Sequence, residues 1–353
     1  MRAGSLLFDT WQGLGVLGKS FVDAGVVTDV MVVEHGRRPS NRDWYPNAPR
    51  IGDLRDHAKI REWLSHLDVF LAFETPFVWE VFRWCRDAGV KTVLMPMHEC
   101  EPDLLPAHPD VFLCPSLLDL DCYPDGHWQT HKVGKDYLNN KILVPINTRS
   151  VFLPVPVEAP WRRRERAWVF VHNAGNGGLR GRNGTAELLA SLRYVESPIT
   201  MILRTQEHRP EAVEVPDHVT LDWHNGTVLY DTLYERGDVF VMPEKFNGLS
   251  LPLQEARAAG MLVMCGDRYP MNTWLPREPL IPVAGYNKVR IARHLREFDE
   301  AQFDPRVIAA TIDSWFGKDI SAYSDGGREW AATMSWEVLK PRYTELLESL
   351  CSS

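Results

Sequence analysis

The chain has 353 residues, 44% hydrophobic and 24% charged, with a formal net charge of −8 and a pI near 5.9. That length suits two domains with separate cores, the composition is that of a soluble globular protein, and no apolar run approaches the roughly 20 residues that cross a bilayer. The acidic balance argues against coating nucleic acid along one whole face, and the six cysteines, with no CxxC pair, read as reduced core residues and not as a metal site.

The opening MRAGSLLFDTWQGLG has one Arg and an apolar run too short for a signal peptide, so a cytoplasmic location is expected. From there strands and helices alternate, the pattern of parallel sheets covered on both faces. SLLFDT reads as a first strand, GLGVLGKSFVDAG as a glycine turn and helix, and VTDVMVVEHG as a second strand. HLDVFLAFE is another strand, PFVWEVFRWCRDAG a helix stopped by Gly89, and VKTVLMPMHE and DVFLCPS continue the series. NNKILVPINT is predicted to close it. The prolines and charges of FLPVPVEAPWRRRER then mark a domain boundary, with WRRRER (Trp161 to Arg166) read as a solvated linker. A second series follows: AWVFVHNAGNGG, the helix NGTAELLASLRYV, then the strands ITMILRTQ, HVTLDW, DVFVMPE and GMLVMCGD. SWEVLKPRYTELLESL is a terminal helix despite Pro341. The fold class is therefore α/β, two Rossmann-like doubly wound domains, with a ligand cleft between them as the default site.

Three loops at strand ends carry chemistry. TWQGLGVLGKS brings Gly13 and Gly15 to a helix N-terminus, where a phosphate is favoured. With Gly18 it approximates a dinucleotide fingerprint, Glu34 then standing for the ribose-binding acid, so the pattern is compatible with a nicotinamide enzyme. HNAGNGGLRGRNGT offers amides at Asn173, Gly175, Asn176, Gly177 and Asn183 and fixed charge at Arg180 and Arg182, the features a diphosphate needs. PEKFNGLSLPLQEA starts a helix with the amides of Gly248, Leu249, Ser250 and Leu251, after Glu244, and places Glu255 one turn in, where a carboxylate accepts two hydrogen bonds from a sugar diol.

LYERGDVFVM followed by PEKFNGLSLPLQEARAAGMLVMCGD resembles the donor-site signature of the retaining, family 4-like GT-B glycosyltransferases. Pro243, Gly248, Leu251, Pro252, Glu255, Ala256, Ala259, Gly260 and Asp267 fall in register with it. The resemblance implies a GT-B fold: an N-terminal acceptor domain at 1–157, a C-terminal donor domain at 158–327, and a last helix at 328–353 crossing back. It implies transfer of sugar from a UDP- or GDP-sugar to a hydroxyl acceptor with retention, no permanently bound cofactor and no metal. Glu255 matches the second glutamate of the family's spaced pair, which binds ribose, and Asn247 stands where the first usually contacts the sugar. The basic pair on the diphosphate falls near Asn173 and Asn183, leaving Arg180 or Arg182 to substitute. His98 matches a histidine beside sugar and acceptor, so His98, Asn247 and Arg182 are the expected catalytic residues. Glu74, Trp79 and Glu99 are the expected acceptor contacts. The short chain, its tryptophans and its glycine loop resemble phage-encoded enzymes that glycosylate hydroxymethylated DNA bases. WRRRER and HGRRPSNR would then supply a basic rim. The sequence is also compatible with a catalytically degenerate GT-B domain that binds nucleotide sugar or DNA, and with a sugar-nucleotide epimerase.

Overall fold

A computed structural model describes residues 1–10, 13–34, 43–102, 105–123, 128–132, 141–145, 148–175, 181–209, 213–226, 228–229, 232–292 and 296–352. The chain divides into two compact units: Met1–Val155 with Arg290–Arg296 and Trp336–Ser353, and Pro156–Val289 with Glu297–Ser335.

The first unit is built on a seven-stranded parallel sheet of order β3-β2-β1-β4-β5-β6-β9. Its strands are β1 (Ala3–Leu7), β2 (Asp29–Val33), β3 (Arg50–Ile51), β4 (Val69–Glu74), β5 (Lys91–Pro96), β6 (Val111–Cys114) and β9 (Arg149–Phe152). Between β6 and β9, β7 (Trp128–Lys132) and β8 (Lys141–Pro145) pair antiparallel as a separate hairpin. The sequence expectation that KILVP closes the sheet is thus corrected: RSVF does so. It is an edge strand whose half-exposed residues lack the unbroken apolar run that marks a central parallel strand. Helices α1 (Gly13–Asp23), α2 (His57–Leu64), α3 (Val81–Asp87) and α4 (Leu117–Cys122) follow β1, β3, β4 and β6. The strands β1 and β4 are buried throughout or nearly so, which is why they read as continuous apolar runs. The last helix, α9 (Trp336–Cys351), belongs to this unit. Trp336 and Tyr343 meet Phe21 of α1 edge-on with ring centroids 4.9 Å away in both cases. The Trp336 indole donates to Ser20 Oγ at 2.7 Å and the Tyr343 hydroxyl to the Pro154 carbonyl at 2.9 Å.

The second unit repeats the plan with five parallel strands of order β12-β11-β10-β13-β14. They are β10 (Val169–Gly175), β11 (Thr200–Thr205), β12 (Thr220–Asn225), β13 (Val239–Met242) and β14 (Leu262–Cys265). One face, with Phe170, Met201, Leu203, Val239 and Val241, packs under α5 (Thr185–Ser191) and α7 (Pro305–Trp315). The other, with Val171, Ile202, Phe240 and Met242, packs under α6 (Leu251–Ala258) and Tyr234. Each large side chain so buried contributes about 1.5–3 kcal/mol. An antiparallel pair, β15 (Gly285–Val289) and β16 (Phe298–Gln302), and α8 (Ser321–Thr333) complete the unit.

WRRRER is exposed at Arg162, Arg163, Glu165 and Arg166, as expected of a solvated linker, but not at Arg164. Arg164 is 2% exposed, and its guanidinium donates to the carbonyls of Gly237, Arg162, Tyr234 and Ala259. Arg162 also donates to the Gly237 carbonyl, and Arg163 faces Asp325 at 3.3 Å. Two of its arginines thus close the start of the second unit against the turn before β13, and Arg163 holds α8. The second basic run, residues 35–42, lies outside the described residues.

Candidate functional site

In open parallel sheets, ligands bind outside the carboxyl ends of the two strands where the order reverses. In the second unit the chain runs from β10 to β11 to β12, then places β13 and β14 on the far side of β10. The reversal therefore lies between β10 and β13. His172 joins the elements there. It is fully buried, with Nδ1 2.8 Å from the Val241 carbonyl of β13 and Nε2 2.8 Å from Thr185 Oγ1 at the start of α5. Burial lowers His172 to about 4, so the ring is neutral at pH 7, donating to the carbonyl and accepting from the hydroxyl. Gly184 precedes α5 with φ of 71°, and a Cβ on it would lie 2.1 Å from the Pro243 carbonyl oxygen. Gly184→Ala is expected to lower the urea midpoint by the equivalent of about 1–3 kcal/mol, because both the backbone angle and the space require glycine.

The loop after β13 is closed by its own hydrogen bonds. Asn247 Oδ1 accepts the N–H groups of Leu249 and Ser250, each at 3.0 Å, and its Nδ2 donates to Glu244 Oε1 at 2.9 Å. Arg268 Nη2 binds the other Glu244 oxygen at 2.8 Å, and Arg268 also donates to the carbonyls of Glu244 and Asn247. Glu244, Asn247 and Arg268 are all buried. Burial raises the Glu244 carboxyl, against the pull of Arg268 and Arg182. The sequence expectation that the Leu249 and Ser250 amides donate to an anion is corrected here, since Asn247 occupies both. Ser250 holds φ of 46°, one of two non-glycine residues with positive φ among those described. Beyond it, Pro252 falls in the first turn of α6, where its missing N–H costs nothing. Glu255 on the same helix receives the Tyr234 hydroxyl on Oε2 at 2.7 Å.

The glycine loop is described in part. Gly175 has φ of 58°, and Asn183 Nδ2 donates to the Ala174 carbonyl at 2.9 Å. Arg182 lies over the Phe246 ring at 6.0 Å. Lys245 pairs with Glu187 at 2.6 Å. Asn176, Gly177 and Arg180 lie outside the described residues.

In the first unit the reversal lies between β1 and β4. Gly13 and Gly15 form the first turn of α1, and a Cβ on Gly15 would sit 2.1 Å from the Thr10 carbonyl oxygen. Glu74, at the end of β4, is the other strained residue, with φ of 63°. Trp79 packs edge-on against Phe82 with centroids 6.0 Å apart. His98 begins a short 3-10 turn after β5 and is 4% exposed. Its Nδ1 faces Glu99 Oε2 at 3.1 Å and Asp119 Oδ1 at 3.2 Å, and its backbone N–H donates to the same Asp119 oxygen at 3.0 Å. Ser116, which caps α4, donates its hydroxyl to Asp119 as well. Among the described residues, His98, Glu99 and Asp119 are the grouping whose potential metal-ligand atoms lie within 4.8 Å of one another, yet Asp119 is committed to hydrogen bonds. Glu99 is fully buried, so it meets His98 and offers no surface to an acceptor. Glu101 is also fully buried; it accepts the Tyr123 hydroxyl, and the Arg296 guanidinium stacks 4.5 Å from the Tyr123 ring centroid. Burial raises Glu101 to about 8 despite Tyr123 and Arg296.

Sequence reasoning missed Asp119, Tyr234, Arg268 and Arg204. The last was detectable as a lone charge inside the apolar strand TMILRT.

The two reversals, each ringed by polar loops at strand ends, invite comparison with solved structures. Sucrose-phosphate synthase from Thermosynechococcus elongatus superposes with a TM-score of 0.60 at 13% identity over 100% of both chains. A glycosyltransferase from Rickettsia africae gives 0.59 at 9% identity, over 99% of this chain and 98% of that one. Anabaena HepE, in complex with UDP and glucose, gives 0.61 at 10% identity over 99% and 100%. The fold is that of the GT-B glycosyltransferases. No family model matches the sequence, and no curated protein matches it. Among the described residues, no helix is long and apolar enough to cross a membrane.

Proposed function

We propose that the chain is a GT-B glycosyltransferase that moves a sugar from a nucleotide-diphosphate sugar to a hydroxyl acceptor, with retention and without a metal. The observation that carries the reading is the Glu255 carboxylate, held by Tyr234 on α6 just beyond the reversal between β10 and β13. One carboxylate so fixed accepts both hydroxyls of a ribose. HepE structures with UDP and with UDP-glucose have this fold, which makes the uridine donor the first to try. In the reaction the bond from the sugar's anomeric carbon to the diphosphate breaks and the acceptor oxygen attacks from the same face. The leaving phosphate oxygen takes the acceptor's proton. His98, oriented through Nδ1 by Asp119, positions sugar or acceptor, and Arg182 with the glycine loop neutralises the leaving group. Asn247 acts through the loop it holds. Glu74 and Trp79 stand on the acceptor side.

The test is product mass spectrometry after incubation with UDP- and GDP-sugars and an acceptor panel that includes hydroxymethylated DNA, glycans and small alcohols. Transfer supports the reading and names the acceptor; donor binding without transfer or hydrolysis supports a degenerate binder; inversion at a sugar carbon without acceptor marks an epimerase. Glu255→Gln is expected to raise the donor KM roughly tenfold, a loss of about 1.4 kcal/mol, with kcat changed less. An unchanged KM removes Glu255 from the ribose.

A further inference from the structure

Asn173 and Arg204 are direct partners in the parallel register of β10 and β11, and the register shifts between Asn173 and Gly175. Such an irregularity re-aims side chains and is common beside sites. Both residues lie on the sheet face covered by Tyr234 and α6, the face that carries Glu255. Arg204 is 7% exposed. Among the described residues its hydrogen bonds run from Nη1 alone, to the Leu233 carbonyl and, at 3.5 Å, to Asn173 Oδ1. Within that same set Nε and Nη2 carry none, and no carboxylate lies within ion-pair distance of the guanidinium, Asp222 acting on it from farther away. Arg164, also buried, shows how this unit satisfies a structural guanidinium: all three of its nitrogens are bonded to carbonyls. Beside Arg204, the Asn173 Nδ2 group is itself buried with no partner among the described residues. Two other cations of the site are already paired, Lys245 with Glu187 and Arg268 with Glu244, while Arg182 stands beside the glycine loop.

A nearly buried guanidinium with two nitrogens unbonded among the described residues, beside an amide donor likewise unbonded, gains most from a ligand that supplies acceptors and negative charge. We infer that Arg204 and Asn173 grip the diphosphate of the donor, Arg204 through Nε and Nη2 on two phosphate oxygens and Asn173 through Nδ2 on a third. This rests on the donor reading above. It supplies the charge that Asn173 and Asn183 lack as replacements for a basic pair. As the bond to the anomeric carbon breaks, its electron pair stays on the phosphate oxygen, where the fixed guanidinium stabilises it.

Asn173→Asp separates this role from a structural one. The carboxylate keeps and strengthens the contact to Arg204, so the melting temperature should hold or rise, while the donor N–H is lost and the charge is cancelled. Calorimetric titration with UDP, GDP, uridine and pyrophosphate is the measurement. UDP affinity is expected to fall tenfold or more in Asn173→Asp, and less in Arg204→Lys, with uridine binding unchanged in both. Unchanged UDP affinity in both variants overturns the inference, as does an equal loss for uridine. If the wild type binds pyrophosphate through Arg204 but binds neither UDP nor GDP, the anion grip stands and the donor reading falls. If it binds none of these, both fall.

Discussion

Arg164→Met should cost the protein on the order of 3–5 kcal/mol. Methionine fills the space of the aliphatic stem but offers no donors. The carbonyls of Gly237, Tyr234, Ala259 and Arg162 would then lose their shared partner inside the protein. Each buried acceptor left unpaired costs about 1–3 kcal/mol, and partial rearrangement keeps the total below the sum. Burial and the neighbouring Arg162 lower Arg164 to about 10, so it is charged at neutral pH and its donors are all present. Chemical denaturation of wild type and variant measures the effect. A change under about 1 kcal/mol would show that water replaces the guanidinium. Arg164→Lys should recover only part of the loss, since an ammonium has three donors and no planar fork.

Glu101→Gln carries the second large effect, and its sign depends on pH. Burial raises Glu101 to about 8 in the folded chain, with Glu99 and Asp119 pushing the same way and Tyr123 and Arg296 opposing; unfolded it titrates near 4.5. Between these values the folded state holds the extra proton, so stability falls as pH rises from about 4.5 to about 8, by up to about 1.4 kcal/mol per unit. Glutamine keeps an acceptor for the Tyr123 hydroxyl and has no proton to lose. The variant should match wild type near pH 4.5 and gain on it steadily toward pH 8, read as a difference in melting temperature across that range. A variant less stable than wild type at pH 8 would mean that Glu101 is ionised and paired with Arg296.

The architecture was legible because parallel strands covered on both sides must be apolar along their length. VFLAF and VFVM declare themselves for that reason. RSVF, on an edge, does not, and the more apolar KILVP drew the reading away from it. The loop PEKFNGLSLPLQEA was identifiable as a strand-to-helix turn with a carboxylate on α6. The direction in which Asn247 spends its amide was not, because that depends on Glu244 and, through it, on Arg268, 21 residues away from Asn247. Arg164 is the sharper case. Within WRRRER it is indistinguishable from its neighbours, and the partners of its guanidinium lie as far as 95 residues downstream. Charge patterning reports composition, while burial is decided by what the rest of the chain brings to the spot.

The helix α9 has a consequence for the order in which the molecule is made. Phe21 of α1 is fully buried, and two of its ring neighbours, Trp336 and Tyr343, come from the far end of the chain. On the ribosome the first sheet can be complete, and the entire second unit synthesised, while that aromatic surface still faces water. A nascent chain stopped before Trp336 should therefore bind a hydrophobic chaperone or a surface-sensing dye that the finished protein ignores.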